Sequence, residues 1–183
     1  MLCQISIHKG SEIMRKKTRL IIFSALLAAI IAVCTRFTGQ IPIPGTTSGY
    51  VHVGDSFVFL AAAFLPTSYA MCAAAIGGAL ADIMYGSMIY VIPTAIVKAL
   101  MALMFFGKKT EKLVSVKNII SMVLGIIVLV AGYYVAEVIL YSSFITPLVG
   151  MIWNAAQGIF SAITFIIIAL ALDAAKVKDR LDI

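Results

Sequence analysis

Residues 54–66, GDSFVFLAAAFLP, determine how many times the chain crosses a membrane. The stretch is mostly apolar, yet it is short for a spanning helix, which needs about 20 apolar residues. It could be a re-entrant segment or a short helix buried among its neighbours. We count it as the second of six helices because of the charges that flank the other apolar runs.

The composition indicates an integral membrane protein. Of the 183 residues, 62% are hydrophobic and 12% are charged, and the mean hydropathy is +1.08. A soluble domain has about 25% charged residues, and no long polar segment is present that could build one. We therefore expect one membrane domain over residues 15–180, with tails at 1–14 and 181–183. The first tail shows no strong pattern and could be disordered.

Five longer apolar runs accompany the short one: Thr18–Phe37, Ser68–Tyr85, Tyr90–Phe106, Asn118–Tyr141 and Pro147–Leu172. With six crossings both termini share one side, and twelve of the fourteen Lys and Arg residues face it. The positive-inside rule makes that side cytoplasmic. The predicted fold is an all-α membrane protein, a compact bundle of six transmembrane helices with both termini cytoplasmic.

The first outer loop, residues 38–55, is long for so compact a protein. Pro42, Pro44 and two glycines prevent a continuous helix there. Loops of this length are usually functional or disordered. We expect that YVHV, residues 50–53, could be a short extended piece that folds back over the helices as a lid.

Strongly polar side chains collect in the outer half of the predicted bundle, whereas the inner half is apolar. In helices 3 to 6 they are Asp82, Lys98, Glu137, Asn154 and Gln157, and Asp55 opens helix 2 at the outer face. This asymmetry predicts an outward-opening pocket with a closed floor.

Asp82 and Lys98 carry opposite charges at similar depths on antiparallel neighbouring helices. An unpaired charge in hydrocarbon costs at least about 2.5–3.5 kcal/mol on insertion scales, so we predict a structural ion pair. Direct ligand contact is the alternative, and Lys98 is the better placed of the two for it. Asp55 is expected to cap helix 2, and His52 is either a solvated loop residue or a ligand contact.

Two further groups have open alternatives. Asn154 and Gln157 lie three positions apart and share a helix face, from which they either bond neighbouring helices or contact a ligand. Trp153 is an interfacial anchor or a stacking wall. Glu137 lies three or four positions from three tyrosines, at 133, 134 and 141, and this polar aromatic face is expected to line the pocket.

Helix 1 carries small residues at the spacing that lets helices approach closely in lipid. Ala25 and Ala29 form one stripe, and Ser24, Ala28 and Ala32 form a neighbouring one.

Motifs for chemistry are missing from the sequence. No phosphate-binding GxxxxGK[ST] loop, HExxH motif, Cys/His cluster or GxSxG elbow is present. We therefore expect no enzymatic activity, no metal and no cofactor. A compact bundle with an outer pocket and no energy source of its own is typical of a capture subunit that depends on partners.

The chain resembles the substrate-binding S components of energy-coupling factor (ECF) vitamin transporters over about Arg15–Arg180. The resemblance rests on the six-span plan, the loop ending VHVGDSFVFLAAAFLP, the block GGALADIMYG with IPTAIVKALMA, the WNAAQG stretch and the Ala25-x-x-x-Ala29 spacing. It is nearest to the branch that includes riboflavin and pyridoxine/hydroxymethylpyrimidine carriers.

The resemblance implies a subunit of the bacterial cell membrane that binds a small water-soluble vitamin tightly near the outer surface. It also implies a transmembrane coupling subunit and two ATPase subunits as partners, with Ala25 and Ala29 on the coupling face, although Ala28 and Ala32 leave the register open. By position, the implied site consists of Tyr50, His52, Thr94, Lys98, Tyr134, Glu137, Trp153, Asn154 and Gln157. Pyridoxine or hydroxymethylpyrimidine is the first expectation for the ligand and riboflavin the second. The alternative function is a standalone secondary carrier.

Overall fold

The computed structural model describes residues 2–39, 41–42, 50–107 and 109–178, with the side chains of residues 2–11 and 13 outside that description. The tail at 181–183 and much of the first outer loop therefore lie outside the described residues. The elements are α1 (Leu2–Phe37), β1 (Ile41–Pro42), β2 (Tyr50–Val51), α2 (Asp55–Phe64), α3 (Thr67–Tyr85), a 3₁₀ turn (Met88–Tyr90), α4 (Val91–Leu103), α5 (Val116–Tyr141) and α6 (Pro147–Ala174).

The helices confirm an all-α membrane protein. Four segments are long and apolar enough to cross a bilayer: Met14–Phe37, Thr67–Tyr85, Val116–Tyr141 and Pro147–Ala174. Asp55–Phe64 and Met88–Leu103 are shorter apolar helices. Six helices are thus present in the described part of the chain, while the number of full crossings and the side of the termini stay predictions.

The short helix α2 lies in the centre of the bundle. Eight of its ten residues are buried, and it contacts α1, α3, α4 and α6. Phe59 lies with its ring centroid 6.0 Å from that of Phe105 and 6.1 Å from that of Phe165. A helix of this length spans only about 15 Å, so it is a buried helix surrounded by longer ones.

Helix α1 packs on α3 through small residues. A Cβ atom at Gly77 would lie 2.7 Å from both the Ala28 carbonyl oxygen and the Ile31 Cβ atom, so only glycine allows this approach. The helix begins at Leu2, so it also includes residues 2–14, which the sequence assigned to the tail. No proline interrupts residues 2–37, which lets the helix continue beyond its apolar part.

The first outer loop contains an antiparallel strand pair. Ile41 lies opposite Val51, and Pro42 lies opposite Tyr50. Tyr50, Val51 and His52 are buried, so this part of the loop folds back into the helices, as expected for residues 50–53.

The bundle has two chemically different ends. At one end, Arg36 after α1 donates to the Met84 carbonyl of α3 at 3.3 Å, and the Tyr90 hydroxyl before α4 lies 2.7 Å from that of Tyr141 in α5. We call this the site end; α1, α3 and α5 finish there, and α2, α4 and α6 begin there.

The opposite end, which we call the basic end, is held by lysines and an aspartate. Lys109 donates to the Ala62 carbonyl of α2 at 2.6 Å, and Lys178 donates to the next carbonyl, that of Ala63, at 3.3 Å. Asp173 of α6 accepts backbone N–H bonds from the loop before α5, including that of Leu113 at 2.8 Å. The loop after α4 and the segment after α6 are thus both fastened to the last turn of α2.

Candidate functional site

An aspartate, a lysine and a glutamine join three helices in the middle of the site end. Asp55 is fully buried and Lys98 is 1% exposed. Asp55 accepts from the Lys98 Nζ atom at 2.5 Å through Oδ1 and from the Gln157 Nε2 atom at 2.8 Å through Oδ2. This carboxylate therefore binds α4 and α6 to the start of α2. It does not cap α2, because the helix has no side-chain cap and Gly54 occupies that position.

Lys98 pairs with Asp55, and the predicted pair with Asp82 is wrong. Asp82 instead accepts a hydrogen bond from the Tyr50 hydroxyl at 2.7 Å through Oδ1. Both carboxylates lie at the depth that the topology indicated. The direction in which each points around its helix decides the partner, and the buried start of α2 brings Asp55 to the lysine.

His52 is buried in the site and is neither solvated nor charged near neutral pH. Its Nδ1 atom accepts the Gly54 N–H at 2.9 Å, and its own N–H donates to the Gln157 Oε1 atom at 3.2 Å. Burial lowers the pKa of His52 to about 4, with the nearby Asp55 acting against that shift and Lys98 adding to it. Gln157 therefore connects the outer loop to the buried ion pair.

A second polar group lies between α4 and α5. The Thr94 and Tyr133 hydroxyls are 2.9 Å apart, and the Lys98 Nζ atom lies 5.5 Å from the centroid of the Tyr133 ring. Glu137 is 2% exposed and accepts from the Tyr90 hydroxyl at 3.2 Å. Tyrosine hydroxyls and one lysine therefore surround this part of the site.

Tyr134 does not belong to this group. It is half-buried and its hydroxyl donates to the Phe144 carbonyl at 3.3 Å near the surface, so Tyr133 takes the place predicted for Tyr134. Both tyrosines satisfy the helical spacing from Glu137, and spacing alone did not separate them. Tyr90 was missed because it was counted only as the first residue of the predicted run Tyr90–Phe106, and nothing in the sequence indicated that its hydroxyl bonds Glu137.

Two α6 residues predicted for the site have no polar side-chain partner in the described part of the chain. Asn154 is 4% exposed and its side chain makes no hydrogen bond there, while Trp153 is half-buried. One turn before Asn154, α6 approaches α5 closely: a Cβ atom at Gly150 would lie 2.7 Å from the Glu137 Oε2 atom. The glycine at this position makes room for the carboxylate between the helices.

The two small stripes of α1 lie on different sides of the helix, one buried and one exposed. Ala28 and Ala32 are 5% and 3% exposed and pack inside the bundle. Ala25 and Ala29 are exposed, next to other exposed apolar residues such as Leu26. The second pair is therefore available to an external surface, and the first is not. No group of three or more metal-binding side chains occurs among the described residues.

A family model described as the S component of the ECF-type riboflavin transporter matches residues 15–174. The chain belongs to this family. It is a substrate-binding subunit of a transporter and not an enzyme, and the apolar helices agree with a multi-pass membrane protein. No curated protein and no solved structure matched the chain in the corresponding comparisons. For an S component, the buried polar residues of the site end are the candidate substrate site.

Proposed function

We propose that this S component captures a small vitamin at its site end and delivers it through an ATP-driven importer. Its partners would be a transmembrane coupling subunit and two ATPase subunits, in a bacterial cell membrane with both termini cytoplasmic. The observation that carries the proposal is the polar group at one end of an otherwise apolar bundle. The loop strand β2 and helices α2 to α6 all contribute to it.

The proposed site residues divide into supporting and ligand-facing groups. Gln157 bonds both the Asp55 carboxylate and the His52 N–H. We therefore assign these three residues to holding the site in shape. Asn154 makes no hydrogen bond in the described part of the chain, so its amide has capacity to bind a ligand. The ligand-facing group is Tyr50, Thr94, Lys98, Tyr133, Glu137, Trp153 and Asn154.

Riboflavin is the first ligand to test, because the matching family model carries that description. Pyridoxine and hydroxymethylpyrimidine follow, since they share an aromatic heterocycle with hydroxyl groups. Tyrosine rings, an amide and a carboxylate suit each of these compounds, with the rings supplying apolar area and the polar groups supplying orientation.

The proposed coupling face is the exposed stripe of α1. Ala25 and Ala29 allow another helix to approach closely, and both are exposed. We orient the basic end toward the cytoplasm by the positive-inside rule, because Arg15, Lys109 and Lys178 all lie at or beyond that end.

A binding assay on the purified full chain tests the proposal. We expect one of the three vitamins to copurify or to raise the unfolding temperature, and Asn154→Ala to weaken binding at least about tenfold with normal expression. Thr164→Ala, on the same helix but bonded to the Phe160 carbonyl near the surface, is the matched control. The site assignment is wrong if Asn154→Ala and the control bind equally. Uptake by the chain alone in liposomes would favour a standalone carrier.

A further inference from the structure

Four cations lie close together where the apolar part of α1 begins: Arg15, Lys16, Lys17 and Arg19. All four side chains are exposed. In the part of the chain that the structure describes, none of them bonds an acidic side chain. Their positive charge is therefore open to a group from outside the chain.

Two lysines of the basic end differ from these four. Lys109 and Lys178 donate to carbonyls in the last turn of α2, at 2.6 Å and 3.3 Å, so their charges already serve the fold. Among the described residues, the cations of α1 support no other helix in this way. Removing them should leave the bundle intact, which makes their role testable.

The length of α1 places these cations at the level of lipid headgroups. The segment Met14–Phe37 is long and apolar enough to cross a membrane, and at 1.5 Å per residue it spans about 36 Å. The hydrocarbon core is only about 30 Å thick. With Phe37 at one surface of that core, the other surface falls near Thr18, and Arg15 and Arg19 lie in the interface where the lipid phosphates are.

Arg15 and Arg19 share one face of α1 and lie about 6 Å apart along its axis. Because the helix continues on both sides of them, the backbone fixes this spacing. Guanidinium groups bind phosphate through two parallel hydrogen bonds. Two surface clefts, of about 410 and 460 Å³, are lined by this pair. Glu12 and Lys16 also line the first cleft, and Met14 and Thr18 also line the second.

We propose that Arg15 and Arg19 bind the phosphate of an anionic phospholipid whose acyl chains lie along Ile22 and Leu26. These two apolar residues follow Arg19 on the same face of the helix, three and seven positions later, and both are exposed. One face of α1 thus offers a phosphate site at the headgroup level and an apolar surface beneath it. The first cleft stays positive, because its three cations outnumber the single carboxylate of Glu12.

The distribution of charge around α1 favours lipid over a protein partner. Successive residues of a helix are rotated by about 100°, so Lys16 and Lys17 lie about 100° and 200° around the axis from Arg15. A protein partner covers one side of a helix, whereas headgroups surround it. The cations therefore match the layer of lipid phosphates better than the surface of a single neighbouring protein.

The experiment measures lipid binding to the purified full chain in detergent by native mass spectrometry. The probes are phosphatidylglycerol and phosphatidylcholine with the same acyl chains, which differ in headgroup charge, and glycerol phosphate as a soluble source of the same phosphate. Arg15→Gln/Arg19→Gln removes the proposed site. Lys112→Gln/Lys176→Gln removes two exposed cations elsewhere at the basic end and is the matched control. Arg15→Lys/Arg19→Lys keeps the charge without the planar fork.

We expect phosphatidylglycerol to bind at least about tenfold more tightly than phosphatidylcholine, because each cation near an anionic lipid strengthens binding about fivefold. Arg15→Gln/Arg19→Gln should abolish this preference, and the lysine pair should retain part of it. The control should keep the preference. Unfolding temperatures without added lipid should be the same for all variants, because every substituted side chain is exposed.

Equal binding of the two lipids by the parent overturns the inference. An equal loss in Arg15→Gln/Arg19→Gln and in the control also overturns it, because the attraction would then be diffuse. Glycerol phosphate that binds as tightly as phosphatidylglycerol would identify a site for soluble anions in place of lipid. If the parent shows no lipid preference but Arg15→Gln/Arg19→Gln no longer copurifies with the coupling subunit, this face binds a protein and the lipid assignment is wrong.

Discussion

Replacing Lys98 by methionine should destabilise the protein strongly, because it leaves the fully buried Asp55 carboxylate without its cation. Removing one partner of a buried ion pair costs about 3–5 kcal/mol. For a chain of this size, 1 kcal/mol shifts the unfolding temperature by about 2–4 °C. Lys98→Met should therefore lower the unfolding temperature by about 6–20 °C, measured in one detergent without added vitamin.

The double variant Asp55→Asn/Lys98→Met separates this reasoning from a general effect of mutating the core. The amide introduced in place of the Asp55 carboxylate would still accept the bond from Gln157, and neither charge would remain. Replacing both charges of a buried pair by neutral groups is often neutral or stabilising. We expect the double variant to recover to within about 2 kcal/mol of the parent.

The matched control is Asp82→Asn/Lys98→Met, which leaves Asp55 charged and unpaired. It should be at least as unstable as Lys98→Met alone. If this control recovers and the Asp55 double variant does not, Asp82 is the true partner and the geometry of the ion pair is wrong. If Lys98→Met fails to express, expression of the double variants identifies the partner instead. Recovery with Asp55→Asn indicates Asp55, and recovery with Asp82→Asn indicates Asp82.

Variants at four other positions test the site and α1. The pKa of His52 is about 4 in the folded protein and about 6.5 in the unfolded chain. The parent should therefore lose about 3 kcal/mol of stability as the pH falls from about 6.5 to about 4. His52→Asn should lose less stability over that range, as measured by denaturant titration. Ala29→Trp should fold and bind vitamin but fail to copurify with the coupling subunit, whereas the buried Ala28→Trp should fail to fold; copurification by Ala29→Trp would move the interface elsewhere. Gln157→Ala should lower both vitamin affinity and stability, the latter by about 1–3 kcal/mol, because the His52 N–H loses its acceptor; an unchanged unfolding temperature would argue against that bond.

Helix positions could be predicted from the sequence because lipid imposes one requirement on them. Each apolar run that reaches about 20 residues becomes a helix, and the observed α3, α5 and α6 begin and end within two residues of the predicted runs. The largest difference is α1, whose helix continues to Leu2 through charged residues. Apolar composition marks where a helix lies in the membrane, but not where it ends in water.

The polar partners could be predicted only in part, because topology gives depth but not direction around a helix. Asp55, Asp82 and Glu137 all lie near Lys98 in depth, and only packing assigns one of them to the amine. The same limit separated Tyr133 from Tyr134, which are neighbours in sequence and point to different sides of α5. What the sequence did locate was the end of the bundle at which the polar residues gather.

The central helix α2 explains how the site and the opposite end are held together. Its first residue is Asp55, a negative charge at the positive end of the helix dipole, and its last turn offers the Ala62 and Ala63 carbonyls to Lys109 and Lys178. Both ends of a helix only about 15 Å long are therefore satisfied by charges of the favourable sign. Because α2 is buried on nearly every side, it cannot shift toward either end without leaving a charge or a carbonyl without a partner. The buried start of α2 is in turn connected to the outer loop through Gln157, which bonds both the Asp55 carboxylate and the His52 N–H.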